Sequence, residues 1–170
     1  MKKTYYIFIL VITSTLFIAC QNAKGVEKVE DMGKYAFDIL KKFDKTSNED
    51  YLKTIFTIEE IKEFGKNNAE KIGEKATKQI ASLTAEDYNG RMEGDLTKIK
   101  KEAEKYGIVW NAIEYSDYTY ETKEEDNMNG TQGKIVFKHN DTTYTVNVSA
   151  LLIDDIYTII RLNRLRKSAD

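Results

Sequence analysis

The chain has one cysteine, one histidine, one tryptophan and no proline among its 170 residues. Each shortage excludes something. A single cysteine cannot close an intrachain disulfide, so the fold must rest on its core alone. A single histidine, His139, excludes a multi-histidine metal site by count, and its place beside Asn140-Asp141 reads as a polar residue flanking a turn. Large excess charge is also missing. A net charge of −2 argues against nucleic acid as a partner.

What is present begins at the amino terminus. Lys2 and Lys3 precede the apolar run Ile7 to Ile18, which gives way to polar sequence at Cys20. As a helix that run would reach only about 18 Å, against roughly 30 Å of hydrocarbon in a bilayer. It suits a removable leader better than a permanent span. Phe17-Ile18-Ala19-Cys20 resembles the lipobox of bacterial lipoproteins, with Phe17 where leucine is usual. The resemblance implies a signal peptide over residues 1–19, cleavage before Cys20 and attachment of diacylglycerol to its sulfur, usually with a further acyl group such as palmitate on the new amino terminus. Two or three acyl chains hold a protein firmly to a membrane where one binds reversibly. Gln21, directly after the lipidated residue, favours the outer membrane if the cell envelope has one.

The remainder divides into a lipidated Cys20 and polar tether over residues 20–28 and one domain over residues 29–167. Without Lys2 and Lys3 the mature chain keeps 24 basic and 28 acidic residues, a charge of −4. The flexible segment Gln21 to Glu27 would keep the domain within about 25 Å of the bilayer. Apolar residues then recur every three or four positions: Val29 to Phe43 as one helix, a short helix near Tyr51 to Phe56, a long one from Ile58 to Leu83, and a last one from Thr84 to Tyr106. Ser47, Thr57 and Thr84, each followed three residues later by an acid, have the pattern of helix caps. Gly90 and Gly94 inside the last helix suggest close backbone packing or a break. Gly107 stops it.

After Gly107 the period changes to two. Ile108 to Thr122, Lys134 to His139, Thr142 to Ile153 and Ile156 to Leu162 read as four strands. Asn129-Gly130, Asn140-Asp141 and Asp154-Asp155 supply the turns. The expected fold is α+β, with N-terminal helices packed on a four-stranded antiparallel meander. This order of elements resembles the cystatin-like and NTF2-like superfolds, and many small envelope lipoproteins built that way. A cystatin's inhibitory Gln-x-Val-x-Gly and Pro-Trp hairpins are missing, so protease inhibition is not carried over.

Several groups of residues are candidate sites. Trp110, Tyr115, Tyr118, Tyr120 and Tyr144 crowd the strands, and an open sheet face lined by them would bind a peptide, glycan or apolar ligand. Glu121, Glu124, Glu125 and Asp126 lack the glutamate an EF-type calcium loop needs at its twelfth position, and read as solvated hairpin charges. Glu114, Asp117, Asp154 and Asp155 offer carboxylates for acid–base work only at defined separations. Arg161, Arg164, Arg166 and Lys167 read as a basic, fraying tail. The expectation is therefore a non-enzymatic envelope module with no cofactor and no metal, attached to the bilayer through acylated Cys20 and binding an envelope protein or small ligand. The alternatives are an enzyme or enzyme subunit acting on envelope polymers, or an inhibitor or immunity-type protein.

Overall fold

The computed structural model describes residues 24–125 and 127–168, so the leader, Cys20 and Gln21 to Ala23 lie outside the described residues. Helices come first: α1 (Met32–Leu40), α2 (Asn48–Thr54), α3 (Ile58–Asn67), α4 (Ala69–Ser82) and α5 (Ala85–Lys105). The caps read from sequence are in place. Ser47 and Thr84 accept from the backbone N–H of Asp50 and Asp87, and Thr57 with Glu60 closes a full reciprocal capping box. Each cap contributes about 1 kcal/mol by satisfying N–H groups the helix leaves open.

The long helix expected from Ile58 to Leu83 is two. Asn68 leaves helical geometry, and Gly73 breaks it again at φ 79°, a left-handed conformation open to glycine. The chain folds back until Ile80 lies on Gly65, where no Cβ could fit. Thus α3 and α4 form a hairpin that packs chiefly on itself.

Four strands follow as an antiparallel meander in the order β1-β2-β3-β4: β1 (Glu114–Glu125), β2 (Met128–His139), β3 (Thr142–Ile153) and β4 (Ile156–Lys167). The α+β arrangement is the one expected, with three corrections. Ile108 to Ile113 is not strand. Ile108, Trp110 and Ile113 are buried, and a short helical turn carries Trp110 into the core before β1 begins. Asn129-Gly130 is not a turn either. It pairs with Glu124 and Lys123 inside the β1–β2 ladder, while Asn127 takes the left-handed turn position at φ 56°. A Cβ on Gly130 would fall 2.8 Å from the Ala150 carbonyl, so close strand approach requires glycine there. Finally, the basic tail is not frayed: Arg161 to Lys167 belongs to β4 and pairs with β3.

The two sheet edges differ. At β4, Val26 and Tyr157 exchange backbone hydrogen bonds of 3.1 and 2.7 Å, and the Phe56 N–H donates to the Ile159 carbonyl at 2.8 Å. Helix α5 also lies along this strand. Among the described residues β1 has no strand on its far side; it is charged along its length and carries an irregularity between Tyr115 and Asp117. Between helices and sheet lies one core, joining Met32, Ala36, Phe37 and Leu40 of α1 to Leu96 and Ile99 of α5 and to Ile135, Phe137, Val146 and Leu162 of the strands.

Gly90 and Gly94 answer to neither expectation. Helix α5 is continuous through both, and a Cβ built at either meets nothing within 4 Å. Alanine at each should therefore stabilise the fold by about 1 kcal/mol, the ordinary helix-interior difference. The check is the urea midpoint of each variant at unchanged slope; a drop in midpoint would mean that a neighbour occupies that space.

Candidate functional site

The five aromatic residues do not form an open face. Trp110 and Tyr144 are buried, Tyr118 and Tyr120 are partly covered, and Tyr115 alone is substantially exposed at 39%. The register explains this. Tyr115, Tyr118 and Tyr120 stand opposite Phe137, Ile135 and Gly133, on the face that the core uses. Trp110 packs between Phe43 and Phe137 at ring separations of 5.4 and 6.2 Å, and Tyr144 stacks on Phe137 at 5.8 Å. These side chains hold the sheet to the helices.

The carboxylates are dispersed as well. Glu114 stands opposite Lys138 at one end of the sheet, whereas Asp154 and Asp155 form the tight turn at the other, both left-handed at φ 47° and 64°. Glu121, Glu124 and Glu125 are exposed along β1, and no cluster of three metal-binding side chains occurs among the described residues. His139 is buried rather than at the surface of its turn, and its Nε2 accepts the Val109 N–H at 3.3 Å. Among the described residues no helix is long and apolar enough to cross a membrane.

A different site stands out, a cleft of about 430 Å³ beneath the α3–α4 hairpin. That lies within the range of roughly 300–1,000 Å³ usual for small-ligand sites. One wall is apolar, made of Ile61 and Phe64 of α3, Ile80 of α4, Leu83 beyond it and Met92 of α5. Facing it are Met128, Leu151 and Ile160 from the strands. Ile61, Phe64, Ile80, Leu83, Met128 and Leu151 are only partly buried, so the hairpin roofs this space without filling it.

The floor is a row across the sheet. Glu121, Gln132, Ser149 and Arg161 are consecutive cross-strand partners on β1, β2, β3 and β4. Strand alternation sets them on the face opposite Gly133, Val148 and Leu162. Gln132, Ser149 and Arg161 line the apolar cleft and also a polar groove of about 530 Å³ that continues from it past Lys134, Asn147 and Asn163. The two spaces share one floor.

Charge at the mouth is mostly positive. Arg91, Lys123 and Arg161 line the cleft with one acid, Glu125. The Arg161 Nε donates to Asp95 of α5 at 2.6 Å, and the hydrogen bond to that carboxylate, opposed by burial, raises the guanidinium further above its ordinary value. Asp95 is 6% exposed, so this pair fixes Arg161 from beneath. Arg91 is exposed. At the inner corner Tyr88 donates to the Phe56 carbonyl, and burial followed by the Glu60 charge pushes its hydroxyl up to about 12, which keeps it a donor.

The segment before α1 reaches the wall of this site. The tether expected over residues 20–28 is not free throughout: Lys24 is paired bidentately with Glu60, 2.9 and 3.1 Å from its two oxygens, and Val26 is bonded to β4. Glu60 precedes Ile61 of the cleft wall. The clasp has a local cause. Gly25 lies so close to the Tyr157 carbonyl that a Cβ would stand 2.2 Å away, and the Thr57 cap already orients the Glu60 carboxylate.

Sequence reasoning missed the cleft because its walls come from five separate stretches of chain. The available signal was a surplus: the stripe Ile61, Phe64, Ile80 and Leu83 had no assigned partner. Comparison with known protein families, with curated proteins and with solved structures finds no match for this chain.

Proposed function

We propose that this chain is a lipid-anchored, non-enzymatic binding module of the cell envelope, whose ligand or partner inserts an apolar group beneath the α3–α4 hairpin. The carrying observation is a cleft of about 430 Å³ roofed by partly exposed Ile61, Phe64, Ile80 and Leu83. Completing the burial of each contributes on the order of 1 kcal/mol, enough for an occupant to be held. The anchor rests on the leader and the Phe17-Ile18-Ala19-Cys20 motif. With a lipid on Cys20, the Lys24 clasp would hold Glu60 near the membrane, since four residues extend at most about 14 Å.

Two measurements test the two halves. Cys20→Ser should move the protein from the membrane to the soluble fraction and abolish labelling by an acyl precursor; continued labelling would reject the anchor. A photo-crosslinking residue at Phe64 should yield a defined adduct in intact cells that the same group at exposed Lys138, near the far end of the sheet, does not. Equal adducts at both positions, or none at Phe64, would reject the cleft.

A further inference from the structure

The continuity of an apolar chamber with a polar floor defines what fits. A purely apolar ligand would cover Ser149 and the terminal nitrogens of Arg161 on the shared floor without offering them a hydrogen bond, although Gln132 already accepts one from Lys123 at 3.2 Å. A purely polar ligand would leave Phe64, Ile80 and Leu151 wet. The site asks for both characters in one molecule, with the apolar part under the hairpin and the polar part at the shelf.

The sign of the polar part follows from the charges there. Arg161 uses Nε for Asp95, and its two terminal nitrogens have no carboxylate partner among the described residues. Arg91, on the helix that lines the same mouth, is in no ion pair among the described residues. Arg161 therefore stands where chamber and shelf meet and Arg91 on the lining of the chamber, and planar bidentate donors of this kind match a carboxylate.

The geometry points to a single-chain fatty acid as the ligand of this cleft, its hydrocarbon tail beneath α3 and α4 and its carboxylate on Arg161 and Arg91 above Gln132 and Ser149. The inference deepens the binding-module reading and rests on it. The source is the adjacent bilayer, which the clasped Lys24 brings within a few residues of the wall that carries Ile61. Met92 and Met128 suit the role, because an unbranched thioether adapts to tails of different length.

The experiment uses the chain without its leader, residues 20–170 with Cys20→Ser, in solution, since every residue of the described core lies at or after Val26. The probe is dansyl-undecanoate, titrated by fluorescence and displaced by hexadecanoate, hexadecanol or hexanoate. Saturable binding of one probe per chain is expected. Hexadecanoate should displace it about tenfold more effectively than hexadecanol, the worth of a charge-assisted contact, and hexanoate should fail. Leu151→Glu, or Met128→Glu should the first not fold, should abolish binding at an unchanged urea slope. Arg91→Gln combined with the charge-neutral pair Asp95→Asn/Arg161→Gln should bring hexadecanoate down to the level of hexadecanol. Equal displacement by acid and alcohol in the unaltered chain, or binding that survives both glutamate variants, overturns the assignment. No probe binding at all also overturns it; a protein adduct from the Phe64 crosslinker would then leave the binding module standing with a different occupant, and no adduct would remove both.

Discussion

Gly33→Ala should cost about 3 kcal/mol of stability, although the same change inside a helix ordinarily gains up to about 1. Gly33 sits in α1, where a Cβ would stand 2.2 Å from Tyr118 Cβ and 2.4 Å from Cγ. The ring cannot retreat, because its other side lies over Gly133, where a Cβ would stand 2.4 Å from Cε2. Tyr118 is thus held between two residues without side chains, one on the helix and one on the sheet. A methyl group at Gly33 must push α1 away from β1, and α1 carries Met32, Ala36, Phe37 and Leu40 into the core. The measurement is chemical denaturation of Gly33→Ala alone and in a Tyr118→Ala background. With the ring removed, the alanine should be neutral or stabilising. Stabilisation in the unaltered background, as expected for Gly90→Ala, would mean that helix and ring do not meet as described.

The second large effect is an asymmetry in the Asp95–Arg161 pair. Arg161→Met should cost about 3 kcal/mol or more, because it strands a carboxylate whose side chain is 8% exposed. Asp95→Asn should cost far less. Arg161 retains 39% of its side-chain exposure, so its charge can be hydrated once its partner is gone. The double variant Asp95→Asn/Arg161→Met should be more stable than Arg161→Met alone. A double-mutant cycle measures this difference directly. If the two single changes cost the same, Asp95 is not the desolvated member of the pair, and the platform beneath the cleft mouth needs redrawing.

What could be read from the chain and what could not divide by distance along it. Helix starts were legible because Ser47, Thr57 and Thr84 act on N–H groups only three residues away. β3 was legible to the residue, since Tyr144, Val146, Val148 and Ala150 alternate between two tight turns. The β1–β2 hairpin was misplaced because Asn129-Gly130 has a strong local preference for a turn. Pairing across the whole sheet overrode it, placing Gly130 against Ala150 and Leu151. The aromatic residues show the same limit. Composition revealed many tyrosines, but which face each occupies depends on a register set by residues tens of positions away. The cleft lay furthest from view, since Phe64, Met128 and Leu151 meet only when the hairpin has folded over the strands.

The unpartnered outer edge of β1 acquires a consequence if the domain works on a membrane. Proteins confined to a surface meet one another in two dimensions, at effective concentrations well above those in solution, and with similar orientations. A twelve-residue strand whose outer edge has no partner strand among the described residues would then be a template for neighbouring copies to zip together. Glu121, Glu124 and Glu125 put like charges along that edge, and the irregularity between Tyr115 and Asp117 spoils the flat register that such pairing requires. The other edge is already occupied by Val26 and Phe56. On a lipid surface such edges would let copies lie side by side without pairing through their sheets.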